Sequence, residues 1–147
     1  PPLDLTVGWG FFYCFKMMYS NFNRDDVLVA QEILYRLREG FIDWKYIENE
    51  ESLYFINLED TTHIDISLSK YPATVHVDWD LYKQQMHFPH ITIHNHPVGE
   101  PIPSKGDWGF AAHIESLIQD CKFHMIVTPK FHRACIFQYG KGVLRFF

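Results

Sequence analysis

The segment HITIHNHPVGEPIPSKGD, residues 90–107, constrains this chain more than any other. It reads as a strand over 90–94 that runs into His94-Asn95-His96, then a loop over 97–103 stiffened by Pro97, Pro101 and Pro103. Ser104 stands where a helix N-cap belongs, and a helix is expected from Asp107 to about residue 120, with Phe110, Ile114, Leu117 and Ile118 on one face. Residues i and i+2 of a strand point to the same side, so His94 and His96 aim at one point. Once the proline loop reverses the chain, Asp107 in the first helical turn brings a carboxylate to that point. Two imidazoles and a carboxylate are a ligand set for one zinc ion, and three protein ligands leave the fourth tetrahedral position open. Either half alone is ordinary structure: His-x-His arises by chance, and Ser-x-x-Asp is also a capping pattern. Their combination within fourteen positions points to a metal.

A hydrolytic centre also needs a general base, and this one must come from elsewhere in the chain. Glu48, Glu50 and Glu51 cluster just before SLYFINL, a strand candidate over 52–58. A solvated acidic loop is the ordinary reading of such a run. Glu51 is the best choice because it abuts the strand, and alternation puts it on the face of Leu53 and Phe55. Glu50 and Glu48 remain alternatives. Ser104 caps the helix and is also placed to donate to a developing oxyanion.

The other histidines show no comparable spacing. His63 and His76 alternate with apolar neighbours on predicted strands and read as surface residues. His90 shares a face with His94 and is a candidate to support it from behind.

Elsewhere the chain reads as mixed α/β. Asn23 is placed to cap a helix over 24–39, with Val27, Ala30, Ile33, Leu34 and Leu37 at helical spacing and Gly40 as its stop. Residues 41–51 read as a polar, acidic connection. Strands are expected over 62–68 and 74–78, with a turn at Glu59-Asp60-Thr61 and a break at Tyr71-Pro72. Asp78 caps a short helix over 79–86. Three strands over 122–128, 133–138 and 143–147 close the chain, the last two joined around Gly140-Lys141-Gly142. A sheet flanked by helices is the natural architecture.

The 147 residues suit one domain with a real core, and 47% hydrophobic content excludes disorder. A net charge of −5 with no basic patch gives nucleic acid no footing. Cys14, Cys121 and Cys135 are too few and too scattered for a disulfide framework or a cysteine zinc finger, which suits a reducing, cytoplasmic setting. The apolar run VGWGFFYCF, 7–15, is too short to span a membrane and has no preceding basic segment of a signal peptide. Residues 1–23 read as an N-terminal apolar segment, an edge strand or a subunit contact, and aromatics exposed in 5–15 make a homo-oligomer plausible.

The stretch HNHPVGEPIPSKGD resembles the signature of the JAMM/MPN+ (JAB-domain) zinc metalloproteases, closest in wording to the prokaryotic, RadC-like branch. The resemblance covers about residues 24–147. It implies a JAB/MPN mixed sheet flanked by helices, distantly like cytidine deaminases, whose own P-C-x-x-C half this chain lacks. It implies that His94, His96 and Asp107 bind one zinc ion, that Ser104 is the site serine, and that an upstream glutamate on an early strand is catalytic. ESLYFINLE, 51–59, is similar to that segment, with Glu51 at the glutamate position. The implied chemistry is cleavage at the C-terminal tail of a ubiquitin or ubiquitin-like protein, with that protein or its conjugate as substrate. Asp107 is followed directly by one helix and a strand, without the long insertions by which some eukaryotic members grip ubiquitin chains. A non-catalytic MPN-type interaction module, and a metallohydrolase of another amide or of nucleic acid, are the alternative readings.

Overall fold

In the computed structural model, which describes residues 23–44, 49–65, 67–70, 75–85, 88–117 and 120–147, the chain is mixed α/β. Helix α1 (Asn23–Arg38) is followed by β1 (Leu53–Asn57), β2 (His63–Asp65), β3 (Ser67–Lys70) and β4 (Val75–Val77). Then come α2 (Trp79–Gln85), β5 (His90–Asn95), α3 (Lys105–Leu117), β6 (Cys121–Val127), β7 (Ala134–Gln138) and β8 (Gly142–Phe146). Six strands form one sheet in the order β2-β1-β5-β6-β7-β8, and β3 and β4 form a separate two-stranded ribbon. All neighbours in the main sheet are antiparallel except β5 and β6, which run parallel with α3 as their crossover.

Alternation along the strands sorts the core into two layers. Tyr54, Ile56, Ile91, Ile93, Phe123, Met125 and Ile136 pack with Val29, Ala30, Ile33, Leu34 and Leu37 of α1. On the other face, Leu53 and Phe55 pack with Tyr82 of α2 and Ile114 of α3, and Ile126, Cys135 and Phe137 pack with Ala111. The sheet is therefore covered by helices on both faces, each burying an apolar stripe.

Helix α1 ends as its sequence suggests. Gly40 takes φ +78°, a left-handed value that disfavours a side chain, and the N–H groups of Gly40 and Phe41 reach back to the carbonyls of Leu37 and Arg36. The side chain of Asn23, the expected cap, lies outside the described residues. The connection after α1 is less polar than expected, since Ile42 and Trp44 are buried and Trp44 packs edge-on to Tyr54 at 4.2 Å. The turn at 59–61 forms, with Thr61 donating to the carbonyl of Asn57. The single strand expected over 62–68 divides: β2 pairs with β1 while β3 leaves the sheet to pair with β4. Asp78 accepts the N–H of Leu81 at 2.9 Å and opens α2 as a cap.

Helix α3 starts at Lys105, two residues before the expected Asp107, because Ser104 is its cap: the Ser104 carbonyl accepts the first helical bond, from Trp108 N–H at 3.0 Å. Its stripe is set by Phe110, Ala111 and Ile114, while Leu117 is exposed. Ile118, the N-terminal segment 1–22, Glu48 and the Tyr71-Pro72 break lie outside the described residues, as do His87 and the side chain of His76. Among the described residues, no helix is long and apolar enough to cross a membrane.

Candidate metal centre

The C-terminal end of β5 delivers two histidines to one point. His94 is the last paired core position on the α3 face, and His96 follows just beyond the strand, its N–H held by the carbonyl of Val127 at 2.9 Å. The loop then returns through Gly99, whose φ of +91° allows the reversal that places Ser104 and Asp107 over the histidines. Nε2 of His94 lies 3.3 Å from Nε2 of His96 and 3.1 Å from Oδ1 of Asp107. Nε2 of His96 lies 3.1 Å from Oδ2 of Asp107. A tetrahedral zinc site with bonds of about 2.0–2.1 Å has edges of about 3.3 Å between ligand atoms. The two imidazole nitrogens thus stand one ligand–ligand edge apart, and the Asp107 carboxylate meets them with one oxygen each, Oδ1 toward His94 and Oδ2 toward His96.

Orientation is fixed from outside the cluster. His96 Nδ1 donates to the carbonyl oxygen of Glu100 at 2.9 Å, which fixes the ring with Nε2 facing His94 and Asp107; Nε2 donates to the Asp107 carboxylate here and is the nitrogen that would face a metal. The Glu100 carboxylate is in turn paired with Arg133 at the far side of the loop. Asp107 Oδ2 accepts the N–H of Ser104 at 2.8 Å, and Ser104 Oγ accepts the N–H of Asp107 at 3.2 Å. This reciprocal capping pins the carboxylate at the start of α3 and leaves the Ser104 hydroxyl proton free to donate. Burial opposes the charge on Asp107, but the bonds from His94, His96 and Ser104 outweigh it and hold the carboxyl well below its ordinary range. For His96, burial pulls down while Asp107, the Glu100 carbonyl and Glu51 pull up more, and its pKa is raised.

The third element is Glu51. The β1–β5 register pairs Leu53 with His94, and every pair in it sums to 147, so two residues further along Glu51 stands opposite His96. Glu51 Oε1 lies 4.0 Å from His96 Nε2. Glu51, His94 and His96 offer ligand atoms that all lie within 4.8 Å of one another. Asp107 lies closer to both histidines than Glu51 lies to His96, so His94, His96 and Asp107 form the inner set and Glu51 flanks it. Burial raises the Glu51 pKa, against the pull of the two histidines. A carboxylate pushed upward beside a metal position suits proton transfer.

Of the residues anticipated from sequence, His94, His96, Asp107, Ser104 and Glu51 converge. Glu50 enters only through its backbone. His90 does not support His94: its Nε2 meets the Tyr82 hydroxyl at 2.8 Å and its Nδ1 the Phe88 carbonyl at 2.7 Å. The reason is length, since four strand residues put the two rings at opposite ends of β5. His63 is half-buried against Tyr54 rather than a plain surface residue.

Three features escaped the sequence reading. Asn95, between the two histidines, is buried and bonds to the backbone on both sides of Glu51. Glu100 orients His96 by its carbonyl. Fully buried His124 links Thr92 Oγ1 at 2.6 Å to Glu115 Oε2 at 3.1 Å, tying the sheet to the end of α3. An asparagine inside a strand was the one readable signal, because asparagine is depleted there. Comparison with known protein families, curated proteins and solved structures gives no match.

Proposed function

We propose that this chain is a zinc-dependent peptidase or isopeptidase with a JAB/MPN-type fold, acting at the C-terminal tail of a ubiquitin or ubiquitin-like protein. The observation that carries the reading is the convergence of His94 Nε2, His96 Nε2 and the Asp107 carboxylate at 3.1–3.3 Å, with the Glu51 carboxylate 4.0 Å from His96. Two imidazoles and a carboxylate on hard, fixed supports fit zinc. When bound by three protein ligands, zinc keeps an open position at which it brings the pKa of a water to about 7.

The protein's own groups then divide the work. Glu51 accepts a proton from the attacking water and returns it to the departing amine as the carbon–nitrogen bond breaks. The Ser104 hydroxyl donates to the carbonyl oxygen as charge gathers there. The Glu100 carbonyl holds the His96 imidazole in one tautomer and orientation. The substrate class comes from the family that His94-to-Asp107 resembles, whose members act on ubiquitin-like tails.

The test is cleavage of ubiquitin-like fusions bearing a C-terminal peptide or isopeptide extension, with and without a chelator. Release of the extension, lost on chelation and restored by zinc, is the expected result. A well-folded protein that takes up no zinc overturns the reading. Turnover of a small amide with no protein fusion cleaved overturns the substrate class.

A further inference from the structure

Glu51 sits outside the ladder that would normally fix a strand residue. Strand β1 begins only at Leu53, and Asn49, two residues before Glu51, takes the left-handed φ of 64° as the chain turns in. Something else must hold residues 50–52 against β5. That group is the Asn95 side chain, which is 2% exposed. Its Oδ1 accepts the Ser52 N–H at 2.6 Å, and its Nδ2 donates to the Glu50 carbonyl at 2.8 Å. The side-chain amide thus acts as a peptide unit would, extending the β1–β5 pairing by the two bonds that straddle Glu51.

We infer that Asn95 is a positioning residue that clamps the Glu51 backbone and so holds its carboxylate against the His94–His96 pair. The inference rests on the reading of Glu51 as the base, but the clamp itself is a property of the fold. The geometry couples two things that sequence separates: Asn95 is covalently between the two imidazoles, so any shift of the histidines carries Glu51 with it. A glutamate on a free chain segment would sample many positions about the metal. A misplacement near 1 Å at such a centre lowers turnover by about 100-fold.

The test uses Asn95→Ala and Asn95→Asp in the full chain, with three readouts. Amide exchange needs neither metal nor substrate: in Asn95→Ala the Ser52 amide, whose N–H the Asn95 side chain holds, exchanges at least about tenfold faster while Phe55 and Ile93 are unchanged. Asn95→Asp keeps the acceptor for Ser52 and loses the donor to Glu50, so Ser52 stays protected and the turnover loss is smaller. In the cobalt-loaded protein, the metal-induced NMR shifts of the Glu51 side chain collapse in Asn95→Ala while those of Leu53 persist. In turnover, kcat falls by about 10–100-fold with KM within about twofold and zinc affinity within about threefold. Unchanged exchange at Ser52 and unchanged cobalt shifts at Glu51 overturn the inference. So does a loss of zinc that accounts for the whole loss of turnover, because Asn95 would then serve the histidines alone. A chain with no turnover on any substrate sinks the peptidase reading, and exchange and cobalt shifts still decide the clamp.

Discussion

Glu51 Oε1 stands 4.0 Å from Nε2 of His96, while Asp107 Oδ2 stands 3.1 Å from that same nitrogen. The difference is the one the proposed roles require: Asp107 at the spacing of two ligands on one small ion, and Glu51 nearly an ångström further out, beside the position rather than in it. Glu51→Gln removes the proton acceptor and keeps the shape. Cleavage is expected to fall by about 100- to 10,000-fold with zinc content unchanged. Zinc analysis beside kinetics decides it: a variant that loses its zinc makes Glu51 a ligand, and one that keeps full activity removes it from the chemistry.

Replacing one of the three proposed ligands has the opposite signature. His94→Ala or Asp107→Ala is expected to weaken zinc by more than the roughly 10–100-fold typical of an outer partner. Competition with a chromophoric chelator measures this directly. Retention of tight zinc in Asp107→Ala would hand the third ligand position to Glu51, the other carboxylate grouped with the two histidines.

His90 makes a pH prediction away from the metal. Burial lowers its pKa from 6.5 to about 4, only partly opposed by the Phe88 carbonyl. Above pH 6.5 the ring is neutral in both folded and unfolded chains and its full contribution to stability is present. As pH falls from 6.5 toward 4, the unfolded chain binds a proton that the folded chain refuses, and stability declines by at most about 3 kcal/mol. Denaturant midpoints between pH 7 and 4.5 should fall accordingly, and less steeply in His90→Asn. A His90 ring signal titrating near pH 6.5 in the folded protein contradicts this.

Glu115 closes the polar link beneath the site. It accepts His124 Nε2–H at 3.1 Å and the Tyr139 N–H at 2.8 Å. Burial resists its ionisation, but those bonds prevail and keep its pKa below the ordinary value. His124, fully buried, is held neutral by desolvation. Glu115→Ala leaves the His124 N–H without an acceptor and should lower stability by about 1–3 kcal/mol. Thermal melts report the loss, and zinc content should be unaffected because Glu115 lies two turns along α3 from Asp107. Stability within experimental error of the parent would show that water replaces the carboxylate.

The sequence by itself determined the local pieces. A strand ending in His-x-His, a proline loop and a capped helix are encoded within 90–117 by period, turn chemistry and capping, all of which act over a few residues. That is why His94, His96, Ser104 and Asp107 were legible together, and why α1 and its Gly40 terminus were too. Glu51 was legible as the best placed of three acidic neighbours, because it abuts a strand and alternation gives it the face of Leu53 and Phe55. What sets it beside His96 is the register in which β1 meets β5, a pairing between segments about forty residues apart that no local pattern specifies. The split of 62–68 between the sheet and a separate ribbon was equally hidden, because alternation marks a strand but not its partner. Asn95 and the Thr92–His124–Glu115 link were decided only by tertiary structure. A buried amide or imidazole is defined by which backbone and side-chain groups surround it, and those are assembled from distant parts of the chain only when the sheet closes.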